Sequence, residues 1–157
     1  MDRLGARGWR GYEISNWARP GHECRHNLAY WERRSCEAVG PGAHAFDGLT
    51  RRWNAARLEG YLASLLPGTS VPVRTGEARL PPGGSETIDA QAAAAESLIL
   101  GLRTDRGVTI AVGALPPLAS HRDWAVAAGL LATTHDGRLV LTTGGRLLSN
   151  ELFARLV

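Results

Sequence analysis

Residues 67–86 form a segment rich in proline, glycine and serine, and the chain changes character across it. Because these residues favour turns and resist regular secondary structure, we predict a linker here. Residues 1–66 contain many Trp, His, Asn, Arg and Gly residues and only short apolar runs, whereas residues 87–157 are dominated by Ala, Leu and Val at helical spacing. The chain is therefore predicted to consist of two small regions, 1–66 and 87–157, joined by this linker.

The region 87–157 has the clearest secondary-structure pattern. Apolar residues recur every three or four positions over 87–102, which predicts a helix, and a second helix is predicted from about 115 or 118 to 131. Asp136-Gly137 stands between two apolar segments, which is typical of a β-hairpin. A last helix is predicted at 143–156, with Leu147 and Leu148 among its apolar positions. This order of elements is close to that of a winged-helix domain.

Residues 12–18 read YEISNWA and overlap a short strand predicted at 11–15. Glu13 and Asn16, on either side of Ile14, can point polar groups into a pocket above a sheet. The alternative is an ordinary strand end with its carboxylate in water, and the spacing alone favours that alternative.

Residues 25–31 read RHNLAYW and place one histidine in an aromatic setting. The imidazole of His26 is a good ligand for haem iron, and Arg25 and Asn27 can orient it or pair with propionates. Tyr30 and Trp31 can form flat walls against a macrocycle. The alternative is a hydrogen-bonded structural histidine, which is the commoner role of such a residue.

Residues 39–46 read VGPGAHAF and follow a short strand predicted at 36–39. Gly40 and Gly42 allow a ligand to approach the backbone closely, with free N–H groups facing it. The dinucleotide fingerprint GxGxxG is not completed, so this segment does not predict a dinucleotide site. A plain tight turn is the alternative.

Taken together and in this order, the three segments resemble one family. The pattern YEISNWA, RHNxxYW and GxGAHA is similar to the radical-SAM family of HemW-type haem chaperones and oxygen-independent coproporphyrinogen III oxidases. The segments ESLILGLR at 96–103 and LTTGGRLLSNE at 141–151 resemble the C-terminal domain of that family. The resemblance covers nearly the whole chain. It implies that residues 1–66 are the last strands of a parallel α/β barrel and that residues 87–157 are the small C-terminal domain.

The resemblance also implies roles for particular residues. The HNxxYW segment is associated with haem, which points to His26, Asn27, Tyr30 and Trp31. Many members have arginine where this chain has Leu28, so part of the propionate-binding interpretation is weakened. Ala18 falls where a backbone contact to S-adenosylmethionine is expected, and the glycines at 40 and 42 fall at the strand end that helps close that pocket. His44 receives no role.

The cluster motif of the family, CxxxCxxC, is not in this sequence, and Cys24 and Cys36 cannot supply three thiolates. We therefore expect the chain to be a fragment, a truncated gene product or one half of a split protein, not catalytic alone. In a full-length form it would bind haem, S-adenosylmethionine and a 4Fe–4S cluster and pass haem to an acceptor protein. The alternative within the family is a fragment of a coproporphyrinogen oxidase.

Two other classes of function are weaker. A winged helix that binds nucleic acid needs several basic or amide side chains on its recognition helix, but 118–131 offers only His121 and Arg122 against Asp123. We therefore predict no nucleic-acid partner.

The second class is a zinc site. Its N and S ligands would be His22, Cys24 and His26, together with Cys36 or His44. That spacing is not a standard one.

No run approaches the ~20 apolar residues of a membrane span, and the first residues lack the apolar core of a signal peptide. A cytoplasmic location is therefore predicted.

Overall fold

A computed structural model of the chain describes residues 2–66 and 83–157. The helices are α1 Asp2–Gly5, α2 Arg25–Trp31, α3 Leu58–Leu65, α4 Ala90–Arg103, α5 Ile110–Gly113, α6 Arg122–Ala127, α7 Thr143–Leu147 and α8 Ser149–Phe153. The strands are β1 Arg10–Gly11, β2 Trp17–Ala18, β3 His44–Phe46, β4 Thr50–Trp53, β5 Gly84–Thr87, β6 Val108–Thr109, β7 Leu131–Thr133 and β8 Arg138–Leu141. A 3₁₀ helix spans Leu118–Ser120. The mixed α/β class is confirmed.

The chain folds into two compact units, and one of them is built from two segments that are separate in sequence. The first unit combines residues 1–33 with residues 90–157, and the second unit is the segment 34–89. Most of the predicted linker, 67–82, lies outside the described residues, so the predicted domain bounds stay a prediction. The last residues of the predicted linker, 84–86, belong to β5, which pairs with β4 in an antiparallel register.

The C-terminal part of the first unit is built on a three-stranded antiparallel sheet in the order β6-β8-β7. The predicted hairpin is confirmed, since β7 and β8 pair on either side of Gly137, whose φ of 74° suits a tight turn. The core against this sheet consists of buried apolar side chains: Leu98, Leu102, Val108, Leu118, Ala125, Leu130, Leu131, Leu139, Leu141, Leu152, Phe153 and Leu156.

Two helix predictions in this region are wrong in extent. The second predicted helix, from about 115 or 118 to 131, is in the structure a 3₁₀ helix at Leu118–Ser120 followed by α6. Helix α6 begins at Arg122 and ends at Ala127, because the chain turns at Gly129 (φ 70°) to enter β7. The predicted final helix is two short helices, α7 and α8, with a non-helical residue, Leu148, between them. Leu147 and Leu148, predicted as apolar positions of that helix, are exposed.

The N-terminal part of the first unit is held to α4 and to the residues after it. The predicted strand at 11–15 is shorter than expected: β1 ends at Gly11 and pairs with β2. The turn between β1 and β2 is tied down by the backbone, because the Ile14 N–H donates to the Arg103 carbonyl (3.1 Å) and the Asp105 N–H donates to the Tyr12 carbonyl (3.0 Å). Residues far apart in sequence are therefore joined within one unit.

The second unit contains the antiparallel sheet β3-β4-β5 and helix α3. The β3–β4 turn is fixed by Asp47, whose carboxylate accepts the N–H groups of Leu49 (2.9 Å) and Thr50 (2.7 Å). The predicted strand at 36–39 reduces to a single bridge between Cys36 and Phe46. Helix α3 follows β4 along the chain. All strand pairs among the described residues are antiparallel, so they include no parallel barrel strands.

Within residues 2–66 and 83–157, no helix combines the length and apolar character that crossing a membrane requires.

Candidate functional site

The centre of the candidate site is the carboxylate of Glu13, which is fully buried in the first unit. One carboxylate oxygen accepts the Ser15 N–H (2.9 Å) and the side-chain amide of Asn16 (2.6 Å). The other accepts a hydrogen bond from the guanidinium of Arg103. Of the two interpretations of residues 12–18, a strand end with its carboxylate in water is therefore wrong. A buried carboxylate has to be paired and hydrogen-bonded, and Glu13 meets both conditions.

Two connections run from Glu13 to helix α2. The first connection runs through Asn16, which donates to Glu13. The side-chain oxygen of Asn16 accepts a hydrogen bond from the side-chain amide of Asn27 (3.2 Å), in the first turn of the helix. Through Arg103, whose guanidinium carbon lies 4.8 Å from the Trp31 ring centroid, Glu13 reaches the end of the same helix. We call these five side chains the Glu13 network: Glu13, Asn16, Asn27, Trp31 and Arg103. The network joins the segments at 12–18, 25–31 and 96–103.

Further contacts hold the backbone around this network. The Arg146 guanidinium donates to the Gly11 carbonyl (3.2 Å) and approaches the Glu13 carbonyl (3.5 Å), which brings in the segment 141–151. At the start of α2 the Cys24 N–H donates to the Tyr12 hydroxyl (3.3 Å). Helix α2 is therefore placed by side chains that come from distant parts of the sequence.

The surroundings of Glu13 favour its charged form. Burial by itself raises the pKa of Glu13, but the hydrogen bonds from Ser15, Asn16 and Arg103 and the charge of Arg103 outweigh burial. The pKa of Glu13 is therefore held below its usual value of 4.5. At neutral pH the residue is an anion that serves as a hydrogen-bond acceptor.

We expect this carboxylate to make the stability of the protein fall in acid. The pKa of Glu13 is lower in the folded protein than in the unfolded chain. Its contribution to the free energy of unfolding is therefore complete when the pH is above the unfolded pKa, and it is lost as the pH falls through the folded pKa. Urea denaturation at about pH 7 and about pH 3 measures the difference. The difference should be smaller in Glu13→Gln than in the wild type, because only the wild type must protonate this buried group. Equal differences in the two proteins would contradict this account of Glu13.

The four residues predicted to bind haem lie on two faces of α2. His26 and Tyr30 are exposed and touch each other edge to face, with ring centroids 4.9 Å apart. Asn27 and Trp31 are half-buried members of the Glu13 network. The structure thus brings His26 and Tyr30 together as a pair open to solvent, and it puts Asn27 and Trp31 in contact with other parts of the first unit.

An open cleft of about 490 Å³ lies beside α2 and α4 in the first unit. Leu28 and Trp31 line it from α2, and Gly101 and Thr104 line it from the end of α4. Leu28, the departure from the family pattern, therefore adds an apolar side chain to this cleft. The indole N–H of Trp31 is buried and has no hydrogen-bond partner among the described residues.

The residues predicted to contact S-adenosylmethionine fall in both units. Ala18 is buried in β2 of the first unit. In the second unit, Gly40 and Gly42 have φ angles of 99° and 68°, which glycine adopts without strain. Their N–H groups are used within that unit: Gly40 donates to the Tyr61 hydroxyl (3.3 Å) and Gly42 to the Ala55 carbonyl (3.0 Å). The predicted contacts stay a prediction.

Asn54 explains why the loop at 38–42 keeps its shape. Its side-chain amide is buried and donates to the carbonyls of Ala38 (3.2 Å) and Gly40 (2.8 Å). His44 lies near the Trp53 ring, with centroids 5.9 Å apart. Asn54 and Tyr61 are therefore supports of the glycine loop inside the second unit.

Within the described residues, no three side chains of His, Cys, Asp or Glu are grouped so that they could hold a metal ion. Cys24 and Cys36 are free thiols. The zinc hypothesis therefore finds no ligand set among these residues.

Sequence reasoning missed the roles of three residues of the site. Glu13 is a buried hydrogen-bond acceptor, Arg103 is its charged partner, and Arg146 donates to backbone carbonyls beside it. A single sequence gives no periodic or spacing signal for a pair separated by 90 positions. The signal that could have found them is the resemblance, since all three lie inside segments that resemble the family.

The chain is similar to curated proteins that carry the name heme chaperone HemW. It is 40% identical over 155 residues to the protein of that name from Mycobacterium tuberculosis (strain ATCC 25618 / H37Rv), a match that covers 99% of this chain and 37% of the relative. It is 29% identical over 163 residues to the protein of that name from Bacillus subtilis (strain 168), covering 98% of this chain and 39% of the relative. The chain thus spans less than half the length of these relatives.

A mitochondrial protein of Mus musculus, named radical S-adenosyl methionine domain-containing protein 1, is 34% identical over 113 residues. That match covers 65% of this chain and 23% of the mouse protein. No protein-family model and no solved structure matches the chain.

Proposed function

We propose that this chain, which corresponds in sequence to the C-terminal portion of HemW-type proteins of the radical-SAM family, is the haem-binding part of a haem chaperone. Haem is the cargo in this proposal, and a haem-acceptor protein receives it. The observation that carries the proposal is the placement of His26, an exposed imidazole on a helix whose other face is held by the Glu13 network.

The chemistry of α2 suits a haem ligand. A neutral imidazole nitrogen donates a lone pair to haem iron, and an exposed ring on a helix surface leaves room for a macrocycle. Tyr30 supplies an aromatic surface beside the imidazole. Arg25, exposed at the start of the helix, offers a cation for a propionate.

We expect ferric haem to bind the 157-residue chain through His26 and to shift the Soret band on titration. Replacing His26 by alanine should weaken binding by more than the roughly 10- to 100-fold that the loss of an outer-shell partner costs a metal site. The matched control is His22→Ala, because His22 is also exposed and lies just before α2. Binding that survives in His26→Ala, or is lost equally in His22→Ala, would contradict the proposal.

For the longer protein we propose S-adenosylmethionine as a further ligand, with Ala18 contributing a backbone contact. A 4Fe–4S cluster that leaves one iron open needs three thiolates, and the two cysteines of this chain do not fit that requirement. We therefore assign no step of cluster chemistry to the residues of this chain.

We also propose that residues 87–157 form a winged-helix-like domain and that residues 1–66 derive from the end of a radical-SAM barrel. Support for the first part is the order of α4, β6, α5, α6 and the β7–β8 hairpin, with the sheet order β6-β8-β7. A nucleic-acid role is not favoured, because Arg122 of α6 pairs with its neighbour Asp123.

A further inference from the structure

Helix α2 does not have the means to fix its own orientation. It has seven residues, and no side chain caps its first turn. Isolated helices shorter than about 12–15 residues are marginal in water, so a helix of this length depends on the contacts around it. The contacts that α2 makes must therefore decide where its side chains point.

Two of those contacts lead to the same carboxylate. Asn27 is linked to Glu13 through Asn16, and Trp31 is linked to Glu13 through Arg103. Asn27 and Trp31 are four residues apart, so they lie one above the other on one face of the helix. Two fixed points one turn apart restrain rotation of the helix about its axis.

His26 and Tyr30 each precede one of these fixed points by one residue. Successive residues of an α-helix are about 100° apart around the axis, so the direction in which His26 points is set once the direction of Asn27 is fixed. We propose that Glu13 is a positioning residue: it sets the rotation of α2 through Asn27 and Trp31 and thereby the direction in which His26 presents its imidazole to haem iron. This inference rests on the proposed function.

The test uses the full 157-residue chain, ferric haem as the probe, and variants whose folding is checked by circular dichroism. Glu13→Gln keeps the shape of the side chain but removes its charge, and Asn27→Leu removes the link through Asn16. Each should weaken haem binding roughly tenfold, the low end of the loss seen when an outer-shell partner of a metal ligand is removed. Glu151→Gln, an exposed glutamate on α8, is the matched control and should bind as the wild type does.

Two further readouts separate positioning from simple destabilisation. Because the link through Asn27 is one of the two that start at Glu13, the double variant should lose little more affinity than Glu13→Gln alone. In a His26→Ala background, Glu13→Gln should have no further effect on residual binding, since the residue it positions is gone. Trp31→Leu removes the ring that the Arg103 guanidinium contacts and should weaken haem binding in the same way as Glu13→Gln.

The outcomes are distinguishable. If His26 is required for haem binding but folded Glu13→Gln and Asn27→Leu bind as tightly as the wild type, the positioning role is wrong and the proposed function stands. If Glu13→Gln weakens binding equally with and without His26, the effect is not positioning of His26, which also overturns the inference. If the wild type binds no haem, or His26→Ala binds like the wild type, both the inference and the proposed function fail.

Discussion

Replacing Arg103 by methionine should lower the free energy of unfolding by up to about 3–5 kcal/mol, the range for removing one partner of a fully buried ion pair. Glu13 is fully buried, and Arg103 is its charged partner. Methionine retains an unbranched apolar chain, so most of the packing of the arginine stem is preserved while the charge and donors are lost. The carboxylate of Glu13 then has to stay buried without a cation or take up a proton.

Chemical denaturation at neutral pH measures this loss. The matched control is Arg122→Met, because the partner of Arg122 is Asp123, whose side chain is 89% exposed. Such a surface pair contributes only about 0–1 kcal/mol. Adding Glu13→Gln to Arg103→Met should recover part of the loss, since the second change removes the unpaired charge. A loss in Arg103→Met no larger than in Arg122→Met would show that the buried pair does not support the fold.

The second large effect is expected at Gly145 in α7. A Cβ at this position would overlap the Leu130 carbonyl oxygen. That carbonyl is backbone of the buried core and accepts the Thr142 N–H (3.0 Å), so it cannot move like the end of a flexible side chain. Gly145→Ala should therefore cost about 3 kcal/mol or more, at the upper end of overpacking.

The neighbouring glycine gives the control for this prediction. A Cβ at Gly144 would have its nearest atoms at 3.6 Å and 3.8 Å, which is ordinary van der Waals contact. Alanine also favours a helix over glycine by up to about 1 kcal/mol, so Gly144→Ala should be neutral or stabilising. Thermal unfolding should place the melting temperature of Gly145→Ala well below that of the wild type and that of Gly144→Ala at or above it. Similar melting temperatures for both variants would mean that α7 does not approach Leu130 this closely.

The parts of the fold that could be predicted from the sequence are those governed by local patterns. Helix α4 shows its apolar repeat in Leu98 and Leu102, and the β7–β8 hairpin shows its turn in Asp136-Gly137; both are present. The prediction of a single final helix was wrong at Leu147 and Leu148, which are apolar but exposed. Burial there depends on how the chain turns around the core, which periodicity does not encode.

The candidate site divides in the same way. His26 could be selected from its chemistry and its segment, because a histidine in an aromatic setting is a recognisable ligand type. Glu13 could not, since its burial depends on Arg103, which lies 90 residues further along the chain. Nothing local distinguishes a glutamate at a strand end in water from one paired inside the protein. Long-range pairing of charged groups is therefore the information that the sequence patterns lacked.

The central claim is that His26 of this chain ligates haem iron. Resonance Raman spectroscopy of the reduced haem complex tests it most directly, because the iron–imidazole stretching band reports histidine as the ligand. We predict that the band is present in the wild-type chain and in His22→Ala and absent in His26→Ala. A band that persists unchanged in His26→Ala would contradict the claim.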